Sequence, residues 1–315
     1  MTNIYLLTSD TDPIGNAIVP LLSGKDGLRR LEPDDLDDFE LGETDVLLVG
    51  ELSNGQSKID VPPEAGLIQL LGCRTTDSLF NQPEQTTVVI AGISPVIAPR
   101  VAKRIIGFSG SLGVKSEDLW GVIGLGAVGC EVVNNVTSTG STVMVADVRT
   151  PPTGLLADLG IRRQTVDLLV SGSDVISLHV RPGPTAAPLI SDRELNLMKS
   201  SAVLINTSDS SIVDELAVVA ALEAGSLAGY ATDCPGAIVS NAEESLISSG
   251  RLIVTTNPLP NQIGAAPEIA KYVLANIDAF LEGSEINGTI ESIDFPPVGD
   301  PSFWSSQMIP RQKSN

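Results

Sequence analysis

The chain has one histidine, His179, in 315 residues. A metal centre needs several His, Cys or carboxylate ligands converging on one point. With one histidine and no grouped ligands, no metal is expected. Cysteine is nearly as scarce: Cys73, Cys130 and Cys234 stand far apart with no metal-ligand spacing. Their odd number and wide separation point to reduced thiols in a cytoplasmic protein. Positive charge is also short, with 19 Lys and Arg against 39 Asp and Glu, a formal net charge of −20. Such an acidic surface argues against nucleic acid and anionic membranes as partners. No apolar run reaches membrane-spanning length, and no basic region precedes an apolar stretch at the N-terminus, so neither a membrane span nor a signal peptide is expected. The acidic run Glu32-Pro33-Asp34-Asp35-Leu36-Asp37-Asp38 reads as a solvated loop and helix start, with a partner-binding patch as the alternative.

What the chain does contain is concentrated in Leu119–Gly129, Leu-Trp-Gly-Val-Ile-Gly-Leu-Gly-Ala-Val-Gly. It reads as an apolar strand, a glycine turn and the first turn of a helix. Gly124, Gly126 and Gly129 fit G-x-G-x-x-G. The first glycine permits the tight turn, the second lets backbone approach a pyrophosphate, and the third lets helix and strand pack closely. The helix start, from Ala127 and Val128, turns unpaired N–H groups and the positive end of its dipole toward the phosphates.

A second apolar strand, Thr142–Ala146, ends in Asp147, followed by Val148. Asp147 comes 18 residues after Gly129, near the usual spacing of about 20 for the carboxylate that binds the ribose hydroxyls of NAD. A carboxylate there would repel the 2′-phosphate of NADP, whereas Arg149, two residues on, is the feature that would favour it. The cofactor expected is NAD.

Strands and helices alternate along the chain. Short apolar strands are expected at Asn3–Thr8, Asp45–Gly50, Gly66–Leu71 and Thr86–Ala91, with a helix over Pro13–Leu22. A linking helix is expected at Ile97–Phe108. Further strands follow at Asp174–His179, Ala202–Asn206, Leu227–Thr232 and Leu252–Thr256, nearly continuous apolar runs as in sheets buried on both faces. Ser191-Asp-Arg-Glu194 has the capping-box pattern. Asp214 and Glu215 open the next helix, and Gly225 is placed to end it. A last amphipathic helix is expected at Glu268–Leu281, and 287–315 reads as a poorly structured tail with prolines at 296, 297, 301 and 310.

The second half of the chain resembles the D-isomer-specific 2-hydroxyacid dehydrogenases. The resembling segments are Val122–Gly129, Ser173–Val180, Leu195–Lys199, Ala202–Thr207, Val213–Glu215 and Leu222–Gly229. The resemblance implies an α/β fold of two doubly wound parallel-sheet domains. A Rossmann-type NAD-binding domain at 97–267 would be inserted into a smaller, flavodoxin-like substrate domain formed by 1–96 and 268–315. It also implies a homodimer, although most of the long segment that precedes the glycine strand in the family, and contributes dimer contacts, is lacking. On the cofactor side, Asp233 matches the family's aspartate that holds the nicotinamide carboxamide. Asn206, Thr207 and Ser208 match the strand end beside the nicotinamide ring. His179 and Val180 match the strand end near the adenosine ribose, and Gly264 falls in the glycine turn after the family's catalytic histidine.

The family's catalytic set is missing. Asp209 stands where the family has arginine, Ile238 where it has glutamate and Gln262 where it has histidine. Glutamine cannot exchange a proton near neutral pH, and an aspartate repels a substrate carboxylate. Either the protein has lost its chemistry, or its substrate and mechanism have changed. Arg74, after the loop that receives the carboxylate in the family, and Arg100, in the linking helix, are the cations that would meet an anionic small-molecule ligand in the second case. Asp209, His179, a cysteine or water would then move the proton. Three functions follow: an NAD-dependent oxidoreductase acting on a small hydroxy acid, oxo acid or carbonyl; a catalytically silent NAD(H)-binding protein working through partners; and an enzyme that retains NAD without net redox turnover.

Overall fold

The computed structural model describes residues 2–10, 12–22, 27–31, 42–50, 59–60, 66–72, 80–81, 88–148, 156–157, 160–180, 188–255 and 262–290. Arg74, Arg149 and the acidic run at 32–38 lie outside them. The chain divides into two compact units, one formed by Met1–Ile97 with Asn261–Ile293 and the other with Ala98–Pro260 as its body.

The first unit begins with β1 (Ile4–Leu7), α1 (Pro13–Leu22), β2 (Leu28–Leu31), β3 (Val46–Val49), β4 (Ile59–Asp60), β5 (Leu67–Leu70), β6 (Phe80–Asn81) and β7 (Val89–Ala91). Five of these strands form a parallel sheet in the order β2-β1-β3-β5-β7, while β4 and β6 pair separately. The five-stranded order is that of the flavodoxin-like doubly wound sheet. Val46-Leu-Leu-Val49 and Leu67-Ile-Gln-Leu70 are buried along their whole length, because helices cover both faces of such a sheet. In contrast, β2 reads Leu-Arg-Arg-Leu with exposed arginines. It is an edge strand, and its lack of an apolar run hides it from sequence reasoning.

Helix α2 (Ser94–Ser111) leads into the second unit, longer at both ends than the expected Ile97–Phe108. That unit contains β8 (Trp120–Ile123), α3 (Ala127–Ser138), β9 (Val143–Ala146), β10 (Arg162–Arg163), α4 (Val166–Gly172) and β11 (Val175–Leu178). It continues with α5 (Asp192–Leu197), β12 (Val203–Asn206), α6 (Glu215–Ala224), β13 (Gly229–Thr232), α7 (Ala237–Ser240), α8 (Glu244–Ser248) and β14 (Leu252–Val254). The seven strands are parallel, in the order β10-β9-β8-β11-β12-β13-β14. Chain order thus runs outward in one direction from β8 and then in the other from β11. This is the Rossmann arrangement, with its switch point between β8 and β11. Local signals work as the sequence implies: Ser191 and Glu194 form the capping box of α5, Asp214 caps α6, and Gly225 ends α6 at φ +73°.

The chain returns to the first unit in α9 (Gln262–Glu282). This helix starts six residues before the expected Glu268, and Pro267 lies inside it. A proline there removes one backbone hydrogen bond. The buried stripe Ala265, Ala266, Ile269, Ala270, Val273 and Ile277 runs across the proline and outweighs that loss. The expectation of a loose tail over 287–315 is corrected for its first four residues; 291–315 lie outside the described residues. Asn287 to Ile290 is tied to β7 through Gly92 N–H to Gly288 O (2.9 Å) and Ile290 N–H to Ile90 O (2.7 Å). Buried Asn276 secures the same segment, donating to Gln69 Oε1 at 2.8 Å and to Asn287 O at 2.9 Å and accepting from Asn287 N–H at 3.1 Å.

Among the described residues no helix is long and apolar enough to cross a membrane.

Candidate cofactor site

The carboxyl ends of β8 and β9 build the glycine turn. Gly124 follows β8 at φ +95°, the left-handed region that favours glycine, and any Cβ on it would run into the His179 carbonyl. Gly129 is buried, and a Cβ there would collide with the Gly124 carbonyl. Gly126 differs from both. It is the N-cap of α3 with no side-chain cap, and a Cβ there would meet nothing within 4 Å. Its bare side therefore faces open space, next to the first N–H groups of α3 at Ala127 and Val128, which have no partner within the helix. One glycine makes the turn, one lets the helix close on the strand, and one leaves room for a ligand backbone to approach, as the spacing implies.

Asp147, next after β9, is 5% exposed. Its Oδ2 accepts the Leu125 N–H at 2.5 Å, which fixes the carboxylate over the glycine turn. Arg163 on β10 donates to the Asp147 carbonyl at 2.9 Å. This arginine, 16 residues on, escaped sequence reasoning. Val148 packs against the apolar core.

Across the switch point, the ends of β11, β12 and β14 carry buried polar atoms without partners: His179 Nδ1, Thr207 Oγ1 and Thr255 Oγ1. Buried polar atoms are normally bonded, so orphans in a row at one edge call for a missing partner. The His179 ring is held by a 2.7 Å bond between Nε2 and Ser177 Oγ, and burial pushes its pKa down to about 3. It is neutral at physiological pH and too weak a base to hold a proton there. Val180 follows it, and its side chain lies near Gly124.

At the end of β12, Asn206 is engaged at both ends of its amide. Its amide donates to the Asp209 carbonyl at 2.7 Å and its Oδ1 accepts the Ser208 N–H at 3.0 Å. Ser208 Oγ donates to Leu178 O at 2.7 Å, tying β12 to β11. Asp209 caps a single 3₁₀ turn, accepting from Ser211 N–H at 2.9 Å and Ser211 Oγ at 2.7 Å. The candidate proton-transfer group is thus engaged locally.

At the end of β13, Asp233 is 2% exposed and pairs with Arg104 of α2 at 2.9 Å. Arg100, the linking-helix cation that the sequence points to, lies one turn earlier and is half-buried. Nothing local marks Arg104, because its partner is 129 residues away. Cys234 is buried, with its Sγ 3.5 Å from Thr232 Oγ1 and 3.7 Å from the Asn206 carbonyl. Burial holds the phenol of nearby Tyr230 protonated by pushing its pKa up. The segment after Cys234 is held by Glu215, whose carboxylate accepts from the backbone N–H groups of Gly236, Ile238 and Val239. Ile238 itself is partly exposed. Gln262 and Gly264 lie in α9 of the first unit, so Gly264 sits in a helix rather than in the expected turn, drawn in by the apolar stripe described above.

Among the described residues no group of three or more His, Cys, Asp or Glu could hold a metal. The glycine cradle, the buried Asp147 and the row of orphaned polar atoms do fit a dinucleotide. Comparison with known proteins agrees. Residues 113–256 match the D-isomer specific 2-hydroxyacid dehydrogenase, NAD binding domain. The second unit is a dinucleotide-binding domain of this class, and its cofactor is NAD. Over these residues the chain is similar to the D-isomer specific 2-hydroxyacid dehydrogenase family. Glycerate dehydrogenase of Methylorubrum extorquens is 31% identical over 174 residues, 53% of this chain and 51% of that one. D-lactate dehydrogenase of Lactobacillus delbrueckii subsp. bulgaricus is 32% identical over 135 residues, 42% of this chain and 40% of that one. The chain spans about half the length of the first of these relatives, and less of the second. Among solved structures, the PH0520 protein of Pyrococcus horikoshii OT3 superposes with a TM-score of 0.74 at 16% identity, covering 93% of this chain and 96% of that one. The NAD-complexed D-isomer specific 2-hydroxyacid dehydrogenase of L. delbrueckii gives 0.63 at 15% identity, covering 92% and 100%. At these identities the likeness concerns the fold.

Proposed function

We propose that the protein is an NAD(H)-binding oxidoreductase that prefers NAD(H) to NADP(H) and performs altered hydride-transfer chemistry on a small hydroxy acid, oxo acid or carbonyl. The observation that carries the cofactor preference is the buried Asp147 carboxylate, fixed by the Leu125 N–H over the glycine turn. In that place it accepts from ribose hydroxyls and repels a 2′-phosphate. Gly126 and the α3 N-terminus hold the pyrophosphate. His179, Val180, Asn206, Thr207, Ser208 and Asp233 line the remainder of the cofactor's path along the carboxyl ends of the strands. The bound cofactor supplies the hydride, and the chain supplies binding, orientation and electrostatics.

Asp209, Ile238 and Gln262 do not reproduce the family's arginine, glutamate and histidine, so common D-2-hydroxy acids are poor substrates. Calorimetric titration tests the cofactor reading. NADPH should bind at least about tenfold more weakly than NADH, and Asp147→Ala should narrow the gap, since a charged contact of this kind is worth about 1.5 kcal/mol or more. Equal affinities in the unaltered protein would sink it.

A second reading, a catalytically silent NAD(H)-binding regulatory or interaction protein, is favoured by one observation. The Asp209 carboxylate is engaged as a cap, and His179 is too weak a base to serve. A screen of oxo acids and uncharged carbonyls at fixed NADH separates the two. Turnover of any member supports the enzyme, and NADH binding without turnover supports the silent protein.

A further inference from the structure

The resemblance gives Asp233 to the nicotinamide carboxamide, but nothing above accounts for its partner, Arg104. The aspartate side chain is 2% exposed and the arginine side chain 20%. Burying such a pair carries a desolvation cost that its attraction only roughly repays, and apolar residues of similar volume are often as stable. Stability alone does not account for it. Its place does suggest a role. Asp233 is the first residue after β13, at the edge where ligands meet a doubly wound sheet.

The two halves of a dinucleotide lie on either side of the switch point. Asp147 at β9 takes the adenosine half, which sends the nicotinamide half toward β12 and β13. The nicotinamide end carries one amide, whose N–H groups need an acceptor when buried. The Asn206 amide is engaged at both ends, and the Ser208 hydroxyl already donates to Leu178 O. Cys234 sulfur is a weak acceptor. Thr207 Oγ1, just past β12, is a neutral hydroxyl; the Asp233 carboxylate, paired with Arg104, is the stronger acceptor.

We propose that Arg104 is a positioning residue: it holds Asp233 ionised and oriented, so that the carboxylate accepts a hydrogen bond from the carboxamide N–H of the cofactor. The inference rests on the NAD(H) reading. The guanidinium keeps the pair neutral overall, so the acceptor is offered without a net charge at the nicotinamide end. Without Arg104, the buried carboxylate would lose its counter-charge, and it would turn or take up a proton. Either change removes it as an acceptor.

The test uses the full chain and three ligands: NADH, its reduced 3-acetylpyridine analogue, in which a methyl replaces the amide nitrogen, and ADP-ribose, which lacks the ring. The unaltered protein should bind NADH about tenfold or more tightly than the acetyl analogue, the size of a charge-assisted hydrogen bond. Arg104→Met should reduce that preference to about twofold while leaving ADP-ribose binding unchanged. Arg104→Lys, which keeps the cation but not the fork, should retain part of it, and it serves as the readout should the Met variant fail to fold. No discrimination in the unaltered protein would overturn the proposal. So would full discrimination in either variant, or a proportional loss of all three ligands, which marks a structural role. Failure of the unaltered protein to bind either NADH or ADP-ribose would instead defeat the NAD(H) reading itself.

Discussion

The two parallel sheets finish their strands differently. In the first unit the described polar side chains at the carboxyl edge answer one another. Thr8 Oγ1 donates to Asp12 Oδ2 at 2.5 Å, and Asp12 Oδ1 accepts the Ile14 N–H at 2.9 Å. Gln69 is bonded through both ends of its amide. In the second unit Ser173, His179, Thr207, Tyr230 and Thr255 each keep a buried polar atom without a partner, and three of the five sit just past strand ends. Among the described residues, the same architecture thus carries an edge bonded within itself in one unit and an edge with unused bonding capacity in the other. Bonds made within the chain stabilise the fold. Bonds left unmade cost stability and are kept where something else makes them.

This contrast can be broken by attacking each unit on its own terms. The largest effect is expected at Asn276, 1% exposed. Asn276→Leu leaves Gln69 Oε1 and the Asn287 backbone without their partner. It should cost about 3 kcal/mol, the sum of two or so unsatisfied buried groups, measured by urea unfolding. NADH affinity should not change. A large loss of affinity in this variant would mean that the first unit's hydrogen-bond network serves binding after all.

His179 comes next. Its folded pKa of about 3 lies below the unfolded value near 6.5, so the unfolded chain binds the extra proton between those limits. Stability is therefore complete above about pH 6.5 and falls as the pH drops toward 3. Between pH 6.5 and pH 5 the loss should be about 2 kcal/mol. His179→Gln should flatten that part of the pH profile, and an unchanged slope would show that the ring is not held neutral by burial.

The smallest effect is expected at Gly126. Its backbone, φ −83° and ψ −166°, suits any residue, and a Cβ meets open space. Gly126→Ala should leave the unfolding midpoint nearly unaltered yet weaken NADH binding about tenfold, or 1.4 kcal/mol. A midpoint shift without an affinity change would place the open side of Gly126 away from the ligand.

What the sequence revealed follows the range of the physics involved. Gly124, Gly129, the Ser191 capping box and the Gly225 stop are contiguous signals, and each reads correctly because turns and caps are decided within a few residues. Apolar runs likewise place the central strands. The misses are long-range. Arg104 meets Asp233, and Glu215 holds the N–H groups of Gly236, Ile238 and Val239, through the folding of the whole sheet. No spacing rule reveals either. The edge strand β2 and the extension of α9 past Pro267 are cases where pairing with a neighbour or burial of a stripe outweighs local preference. That Asp209, Ile238 and Gln262 replace a catalytic set is what the resemblance implies. What Asp209 does instead, capping its own turn, emerges only from the hydrogen bonds.

The link from Asn276 back to Gln69 spans 207 residues, and this gives the molecule an order of assembly. The sheet of the second unit, from β8 to β14, comes from one continuous stretch of chain. It can be completed as soon as β14 has emerged from the ribosome, since domains generally fold as units during synthesis. The first unit has its strands made early but lacks the helix and the 287–290 segment that cover and fasten them until those later residues have been made. Its contacts are of high sequence separation, the kind that slows folding. At one covering helix short, a finished parallel sheet is an exposed apolar face. Until α9 has been made the early unit is therefore the aggregation-prone one, and a ribosome paused between β14 and α9 should hold a folded second unit while the first still needs a chaperone.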